Sequence, residues 1–393
     1  MIDFTNTQIA FEAKTNTDLR RAKFLFKTIK HQWVVKLGKI FVYITGKLKL
    51  PVGWLLKPTI YKQFVGGETL KKCTSLAQQL MKYNILSIFD YSAESGKSAE
   101  DIQHTFDEFI CSIEYAKDND NVAYTVFKPT ALAVDKVLEK ASSKTELNGE
   151  EQKQYDDYRQ RFEKLCQRAF DNNVRILVDA EDYCFQDAID KLTEEMMRKF
   201  NKKRATVFTT LQMYRHDRLP YLEKLYDDAV KNNYTVGMKF VRGAYMEKER
   251  ERAKHLGYPD PICATKQATD ENYNNGLRYV VEHIDRFEMF SGTHNEESNI
   301  VLASLIAEYS LARNDSRIFF AQLYGMSDNL SYNLAHEGYN VTKYIPYAPV
   351  KKVLPYLIRR AEENTAIAGQ TTRELTLIKT EIKRRKKEKK NHK

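Results

Sequence analysis

Short β-rich runs alternate with longer helical segments along most of this 393-residue chain, and no other feature limits its fold as strongly. Runs rich in Val, Ile, Phe and Tyr occur at residues 85–90, 122–128, 174–179, 205–210, 234–241, 287–293, 317–323 and 340–346. Between them, apolar residues recur at helical spacing, as in 158–173 and 218–233. Eight strands in strict strand-then-helix order predict an α/β fold, a distorted (β/α)8 barrel of the TIM type.

A doubly wound open sheet is the alternative fold. It is disfavoured because no strand is followed by the glycine patterns G-x-G-x-x-G or G-x-x-x-x-G-K-S/T that such sheets use to bind phosphates. Several runs are almost continuously apolar, as expected of parallel strands buried on both faces. Residues 142–154 are polar and predict a surface loop or lid.

The charge distribution divides the chain into three parts: an N-terminal helical arm at 1–67, the barrel at 68–378 and a C-terminal tail at 379–393. Eleven Lys or Arg and no acid lie between Arg20 and Gly67, and the tail carries a net charge of +7. Because the whole chain carries +10, the remainder carries −8. A nucleic-acid enzyme would place basic residues around its cleft, so the pattern disfavours nucleic acid. Basic ends suit an anionic membrane surface, or they merely keep the chain soluble.

The arm itself is apolar, but lysines interrupt it too often for a membrane-spanning helix. Aromatic residues such as Trp33 and Trp54 beside these lysines indicate an amphipathic surface that could lie on a bilayer. The alternative is an arm packed on its own domain. Scattered cysteines and a polar N-terminus predict a cytoplasmic protein with reduced thiols and no metal. Such a protein could lie peripherally on the inner face of the cytoplasmic membrane.

The predicted strand ends carry an unusual number of charged and aromatic residues. They are Asp90, Lys128, Asp179 with Glu181, Arg242–Tyr245, Thr293–Glu297, Gln322–Met326 and Tyr344–Pro349. Each has an ordinary structural explanation by itself. Barrel enzymes nevertheless work at the carboxyl ends of their strands, so the accumulation predicts an active site there.

The residue types at these ends suit a small carboxylate ligand. Lys128, Arg359 and Arg360 offer three cations, and Asp179 could balance one of them. The arginines have an alternative explanation, an exposed ion-pair ladder with Glu363 on one helix. No catalytic triad, HExxH or paired-histidine spacing is present, so a bound cofactor is expected to carry the chemistry.

Several motifs together resemble one enzyme family. "FKPTAL", "LVDAED", "MKFVRGAYMEKERERAKHLGYPDPI", "GTHNEES", "QLYGM" and "YIPYAPVKKVLPYLIRRAEEN" resemble the proline dehydrogenases, FAD-dependent enzymes built on a distorted (β/α)8 barrel. The resemblance runs from about residue 61 to about residue 374 in family order. It is closest to the monofunctional, mitochondrial-like branch.

The resemblance implies roles for individual residues. Those expected at the substrate are Lys128, Asp179, Tyr245, Tyr347, Arg359 and Arg360, with the cations on the proline carboxylate and Tyr347 over the proline ring. Those expected at the FAD are Lys239, Val241, Gly243, Ala244, His294, Asn295, Leu323, Arg360 and Glu363. Lys239 stands where many bacterial members have arginine, and at the fourth strand either Thr209 or Gln212 faces the flavin.

The resemblance also implies a reaction: oxidation of L-proline to 1-pyrroline-5-carboxylate by hydride transfer to flavin N5, with electrons passed to a quinone. Two alternatives stay open. One is another flavin barrel oxidoreductase, such as a 4-hydroxyproline dehydrogenase, although the bulk of Tyr347 argues against a ring hydroxyl. The other is a non-enzymatic protein that binds membrane or nucleic acid through its basic ends.

Overall fold

The structure is a computed structural model that describes residues 2–31, 33–34, 37–38, 40, 53–93, 98–366 and 370–391. Its strands are β1 (Ile85–Tyr91), β2 (Val122–Phe127), β3 (Ile176–Val178), β4 (Val207–Gln212), β5 (Val236–Val241), β6 (Phe287–Gly292), β7 (Ile318–Leu323) and β8 (Val341–Tyr347). All pair in parallel with their chain neighbours, and β1 pairs with β8, so the sheet closes. The predicted barrel is confirmed, and each predicted strand lies within two residues of an observed one.

Helices surround the barrel and flank it at both ends of the chain. Before the barrel lie α1 (Thr7–Ala10), α2 (Asn16–Ile29), α3 (Gly53–Leu56), a π-helical turn (Lys57–Tyr61), α4 (Lys62–Phe64) and α5 (Leu70–Met81). Within it lie α6 (Ala99–Lys117), a 3-10 turn (Pro129–Leu132), α7 (Asp135–Ser142), α8 (Gly149–Asp171), α9 (Tyr183–Phe200), α10 (Arg218–Asn232), α11 (Met246–Leu256), α12 (Lys266–Glu282), α13 (Glu296–Glu308) and α14 (Asp328–His336). The last two are α15 (Val350–Ala366) and α16 (Gln370–Asn391).

Aromatic side chains fill the lower half of the barrel. The ring of Tyr124 meets those of Phe208, Phe290 and Phe319 edge to face, each at a centroid distance of 5.2 Å. The guanidinium of Arg175 covers the Tyr124 ring at 5.5 Å from below. A filled interior means that the open end of the barrel, where the strands finish, is the part that can receive a ligand.

The two ends of the chain pack against each other on the outside of the barrel. The apolar side of α2 is buried through residues such as Leu25 and Phe26, and α16 lies alongside it. The buried carboxylate of Glu381 accepts hydrogen bonds from Arg384 and Arg385, and Arg385 also donates to the carbonyl of Lys14 at 2.8 Å. Of the two alternatives for the arm, packing on the barrel therefore applies to α2, whereas residues 41–52 lie outside the description.

The prediction of a loop or lid at 142–154 is wrong for its second half. Helix α8 begins at Gly149 because Asn148 and Glu151 form a capping box, in which each side chain accepts the other's backbone N–H. Within the described ranges, no helix is both long enough and apolar enough to cross a membrane.

Candidate active site

Alternate side chains of each strand point into the barrel, and this places charged groups at its open end. Asp90, Lys128 and Asp179 lie two positions beyond Ile88, Val126 and Leu177, which belong to the inner apolar cluster. Lys239 of β5 enters the same space, since its ammonium lies 4.9 Å from the centre of the inward-facing Tyr344 ring. These five polar side chains, Asp90, Lys128, Asp179, Lys239 and Tyr344, are called the basin cluster below.

Asp179 is the centre of the basin cluster. Its Oδ1 accepts from Lys239 Nζ at 2.5 Å, and its Oδ2 accepts from the Tyr344 hydroxyl at 2.9 Å. Lys128 Nζ lies 3.4 Å from the same Oδ2 and 2.6 Å from Oδ1 of Asp90. Two carboxylates and two ammonium groups thus alternate across the barrel and cancel each other's charge.

Burial and ion pairing shift the pKa values of this cluster in opposite directions, and the ion pairs prevail. Burial would raise the pKa of Asp179, but the charges of Lys239 and Lys128 lower it below its ordinary value. Burial would likewise lower the pKa of Lys128, but Asp90 and Asp179 raise it above its ordinary value. Asp179 and Lys128 therefore stay ionised at neutral pH, because an isolated buried charge would be far more costly.

Glu181 behaves differently, because it lies beside the cluster without a close cation. Burial raises its pKa to about 7, although the Thr130 hydroxyl donates to Oε1 at 2.7 Å and opposes that shift. The Tyr245 hydroxyl donates to Oε2 at 3.3 Å. Among the described side chains at this open end of the barrel, called the basin below, Glu181 is therefore a group whose charge changes near neutrality.

The two arginines on α15 approach the basin from outside the barrel. The charge of Arg359 reaches Tyr245, and the charge of Arg360 reaches His294, where each affects the neighbour's pKa. The Arg360 guanidinium lies 5.3 Å from the centre of the Tyr356 ring on its own helix. The expected partner of the exposed-ladder alternative, Glu363, has a side chain outside the described residues.

The loop after β5 offers bare backbone to a ligand. Gly243 has a φ of +131°, a conformation that residues with a side chain rarely adopt, and an added Cβ would run into the ring of Tyr214. Gly243 and Ala244 are exposed and Val241 is half-buried. A flat ligand can approach such a surface closely, and the flavin contact expected here stays a prediction.

Arg242 joins this loop to the one after β6. Its guanidinium donates to Asp270 at 2.7 Å, to the Thr293 hydroxyl at 2.6 Å and to the Ser298 hydroxyl at 2.9 Å. It also lies 4.5 Å from the centre of the Tyr273 ring. With these donors engaged, Arg242 holds the two loops in a fixed relation.

His294 and Asn295, the pair expected to contact the flavin, make different contacts within the protein. The Asn295 side chain accepts from the Ser298 N–H at 3.0 Å and caps α13. The ring of His294 pairs through Nδ1 with the Ser327 hydroxyl at 2.9 Å. Burial, assisted by the charges of Lys343, Arg360 and Arg242, lowers the pKa of His294 to about 3, so the ring is neutral.

The structure does not bring Tyr347 into the basin. Residue 347 follows the inward-facing Tyr344 by three positions, so its side chain points outward and its hydroxyl donates to Glu108 of α6 at 3.0 Å. Tyr347 packs against Tyr91 in the layer between the barrel and its helices. The tyrosine of β8 that reaches the basin is Tyr344.

Register also decides which residue of β4 faces inward. Phe208 belongs to the inner cluster, so Gln212 faces inward and Thr209 faces the helices. The Gln212 amide donates to the carbonyl of Glu181 at 2.7 Å. Leu323 at the end of β7 is half-buried and packs against the same inner cluster.

Asp90, Glu181 and Tyr344 were named at the predicted strand ends but given no role at the substrate or cofactor, and the structure places all three at the open end of the barrel. The signal that could have found Asp90 and Tyr344 is the even spacing from inward-facing residues of their own strands. Glu181 gave no such signal, because it lies past the end of β3.

In the described part of the chain, no group of three or more His, Cys, Asp or Glu side chains is placed to hold a metal ion.

Known proteins resemble this chain over most of its length. The family model for proline dehydrogenase matches residues 73–373. The chain belongs to the proline dehydrogenase family. It is therefore an oxidoreductase of that family.

The relatives come from distant organisms. The mitochondrial proline dehydrogenase 1 of Dictyostelium discoideum is 30% identical, over 97% of this chain and 74% of its own. Carbapenem antibiotics biosynthesis protein CarD of Pectobacterium carotovorum is 35% identical, over 82% of this chain and 83% of its own. A hydroxyproline dehydrogenase of Xenopus laevis is 28% identical, over 95% of this chain and 88% of its own.

A solved structure shares the fold. Proline utilization A of Bdellovibrio bacteriovorus, inactivated by N-propargylglycine, superposes with a TM-score of 0.75 at 17% identity. The match covers 93% of this chain but only 42% of that longer one. At this level of identity the likeness supports the barrel architecture alone.

Glu181 yields a prediction about pH. The affinity of the basin for a small carboxylate ligand should fall as pH rises through about 7, because Glu181 gains a negative charge there. Glu181→Gln should remove this dependence, and calorimetric titrations across a pH series that brackets 7 would show it. The control is Glu108→Gln, on the outer side of the barrel, which should keep the wild-type profile. A Glu181→Gln profile that still falls through this range would assign the titration to another group.

Proposed function

We propose that this chain oxidises L-proline to 1-pyrroline-5-carboxylate and that FAD is its cofactor. The observation that carries the proposal is the basin cluster, an internally neutral charge network flanked by two arginines at the open end of a proline dehydrogenase barrel. The two guanidinium groups on α15 add positive charge beside this neutral network, and that charge suits a ligand with one carboxylate.

Arg359 and Arg360 are the groups we assign to the substrate carboxylate. The ammonium groups of Lys128 and Lys239 are already paired with Asp90 and Asp179, so they hold the site together more than they attract an anion. A guanidinium can bind a carboxylate through two parallel hydrogen bonds. Each such contact contributes roughly 1.5–3 kcal/mol.

Aromatic and aliphatic side chains would position the ring of the substrate. The hydroxyls of Tyr344 and Tyr245 are held by Asp179 and Glu181, which fixes the orientation of both rings. Leu323 adds an apolar surface at the end of β7. A ring held in one orientation presents the same carbon–hydrogen bond to its acceptor in every encounter, which is how positioning lowers a barrier.

The residues present fit a flavin. Bound FAD would accept the hydride at its N5 atom and release the electrons later. The open backbone at Gly243 and Ala244 and the neutral ring of His294 are the expected contacts, and Lys239 places a buried positive charge in the same basin. The side chain of Glu363, also expected there, lies outside the described residues.

A quinone is the acceptor that we propose for the electrons of the reduced cofactor. The sequence offers no glycine-rich nicotinamide-binding pattern, so a second soluble dinucleotide has no evident place on it. A quinone resides in a membrane, and the protein must meet that membrane at some surface.

The polar side of the packed α2–α16 pair is the surface we propose for this contact. Lys23, Phe24 and Lys27 of α2 are exposed, and Lys386 of α16 lines the same groove. The basic residues from both ends of the chain thus meet on one face. Trp33 and Trp54 are 63% and 77% exposed, and they are suited to insertion at a lipid interface.

4-Hydroxyproline is the alternative substrate. The similarity to a hydroxyproline dehydrogenase keeps it open. We favour proline because Tyr344 lies in the basin and its hydroxyl already donates to Asp179. A hydroxyl on the substrate ring would be crowded by the Tyr344 ring and would not find the hydrogen of the tyrosine hydroxyl available for a hydrogen bond.

The first prediction from this proposal concerns the arginines. The purified protein should show flavin absorption that bleaches when L-proline is added under anaerobic conditions. In Arg359→Met and Arg360→Met, the proline concentration for half-bleaching should rise about 10- to 150-fold, the equivalent of one lost charge-assisted contact. Arg313→Met, an exposed arginine paired with Glu337 away from the basin, is the control. If both α15 variants behaved as the wild type, the carboxylate assignment would be wrong and the arginines would be explained as part of an exposed ion-pair ladder.

The second prediction separates the two tyrosines of β8. Tyr344→Ser should lower the ratio of kcat/KM for proline to kcat/KM for 4-hydroxyproline. A change of pocket size of this kind alters the discrimination between two substrates by roughly 1–3 kcal/mol. Tyr347→Ser should reduce stability while leaving this ratio unchanged, because Tyr347 faces α6. Steady-state kinetics with both substrates would measure it. The reverse pattern would restore Tyr347 as the ring-contacting residue.

The third prediction concerns the membrane. The double variant Lys23→Glu, Lys27→Glu should bind anionic vesicles about 30-fold or more weakly at low salt, because each lysine near such a surface contributes about 1 kcal/mol. The double variant Lys224→Glu, Lys231→Glu on α10 makes the same charge change on another exposed helix and should bind as wild type. Co-sedimentation of the full chain would compare them. Equal losses in both pairs would show an unlocalised charge effect.

A further inference from the structure

Ser327 uses its polar groups in an unusual way. It stands directly before α14, the position where a serine side chain ordinarily caps the helix by accepting a backbone N–H. Here it has a φ of +49° and makes no capping bond. A non-glycine residue in this conformation is strained, and such strain persists only where the surroundings impose it.

Two groups impose the conformation of Ser327. Its backbone N–H donates to Oε1 of Glu374 at 2.6 Å, and its hydroxyl faces Nδ1 of His294 at 2.9 Å. Both Ser327 and Glu374 are buried. A hydrogen-bonded chain therefore runs from α16, outside the barrel, to the loop after β6 where the flavin is expected.

The direction of the Ser327–His294 bond follows from the chemistry of the ring. His294 is neutral, so one ring nitrogen carries a hydrogen and the other accepts. In the part of the chain that the structure describes, Nδ1 is the one hydrogen-bond partner of the buried Ser327 hydroxyl, so an Nδ1–H that donated to it would leave the hydroxyl hydrogen without an acceptor. The hydroxyl consequently donates to Nδ1, and the ring hydrogen resides on Nε2.

We infer that Glu374 and Ser327 are positioning residues that hold His294 as the neutral Nε2–H tautomer, ready to donate a hydrogen bond to the cofactor. The inference rests on the proposed flavin site. It gives α16 a role in that site, because Glu374 of α16 holds the serine that orients His294. A donor is the useful form there, since reduction of the cofactor adds negative charge that an N–H can stabilise.

The neighbours of Glu374 explain why it can serve as a fixed acceptor. Glu374 lies near Lys343 and Asp328, and Lys343 itself donates to the carbonyl of Met326, the residue before Ser327. Lys14 of the N-terminal segment pairs with Asp328 at 3.2 Å. The backbone around Ser327 is thus held from several sides.

The test reads the tautomer directly. In the wild-type protein, ring ¹⁵N spectra should show His294 with its hydrogen on Nε2, with or without flavin. Ser327→Gly tolerates the positive φ but removes the hydroxyl, so it should lose this tautomer preference and hold FAD on the order of tenfold less tightly, as expected for one lost positioned hydrogen bond. Ser327→Ala should lose the same preference; if only Ala and not Gly does so, backbone strain explains the result and the inference fails.

Glu374 is tested by a graded pair. Glu374→Gln keeps an oxygen acceptor for the Ser327 N–H and should retain the tautomer, whereas Glu374→Ala should weaken it. Glu381→Ala is the control, because it loosens the same helix through Arg384 and Arg385 without touching Ser327. If Glu381→Ala shifts the tautomer as much as Glu374→Ala, general packing of α16 is responsible and the inference is overturned.

Failure of the inference differs from failure of the proposed function. A wild-type ring with its hydrogen on Nδ1, or a Ser327→Gly variant with unchanged tautomer and flavin affinity, overturns the inference while the flavoprotein stands. A protein that binds no FAD refutes the proposed function. The ¹⁵N spectra of the flavin-free protein still decide whether Ser327 and Glu374 hold His294.

Discussion

The ionised carboxylate of Asp179 inside the barrel is the constraint on which the rest of the site depends. An unpaired carboxylate at this depth would cost several kcal/mol, so the surrounding strands must deliver compensating groups at defined heights. Lys239 arrives from β5, Lys128 from β2 and the Tyr344 hydroxyl from β8. Closure of the sheet, with β1 paired to β8, brings these distant strands to one carboxylate.

The sequence contained enough information to predict the strands and the end of the barrel at which the site lies. Alternation of apolar runs with helical segments is a local pattern, and each run reports its own secondary structure. Lys128 and Asp179 were predicted in the same way, because they stand at the ends of their strands, whereas Lys239 was expected only from the family resemblance. The family resemblance then suggested roles that local patterns could not.

What could not be predicted depends on register and on contacts distant in sequence. Tyr347 and Tyr344 both lie in β8, and a difference of three positions puts them on opposite faces. The packing of α2 on α16 joins residues more than 350 positions apart, as in the bond from Arg385 to Lys14. No periodicity in either segment indicates its partner, since each amphipathic face would fit several surfaces. The start of α8 was a different case, because Asn148 and Glu151 form a capping pattern that the sequence does display.

The charges of the site fall into two groups that the fold controls separately. Lys239 lies on β5 and Lys128 directly follows β2, and both are neutralised by Asp90 and Asp179, so their positions are as rigid as the barrel. The arginines belong to α15, a helix that packs on the outside and is followed by α16, which in turn holds α2. The positive charge that the arginines add to the basin is therefore set by how the two ends of the chain pack, rather than by the barrel. Changes in the packing of α2 or α16 should alter the affinity for an anionic ligand while leaving the network around Asp179 intact.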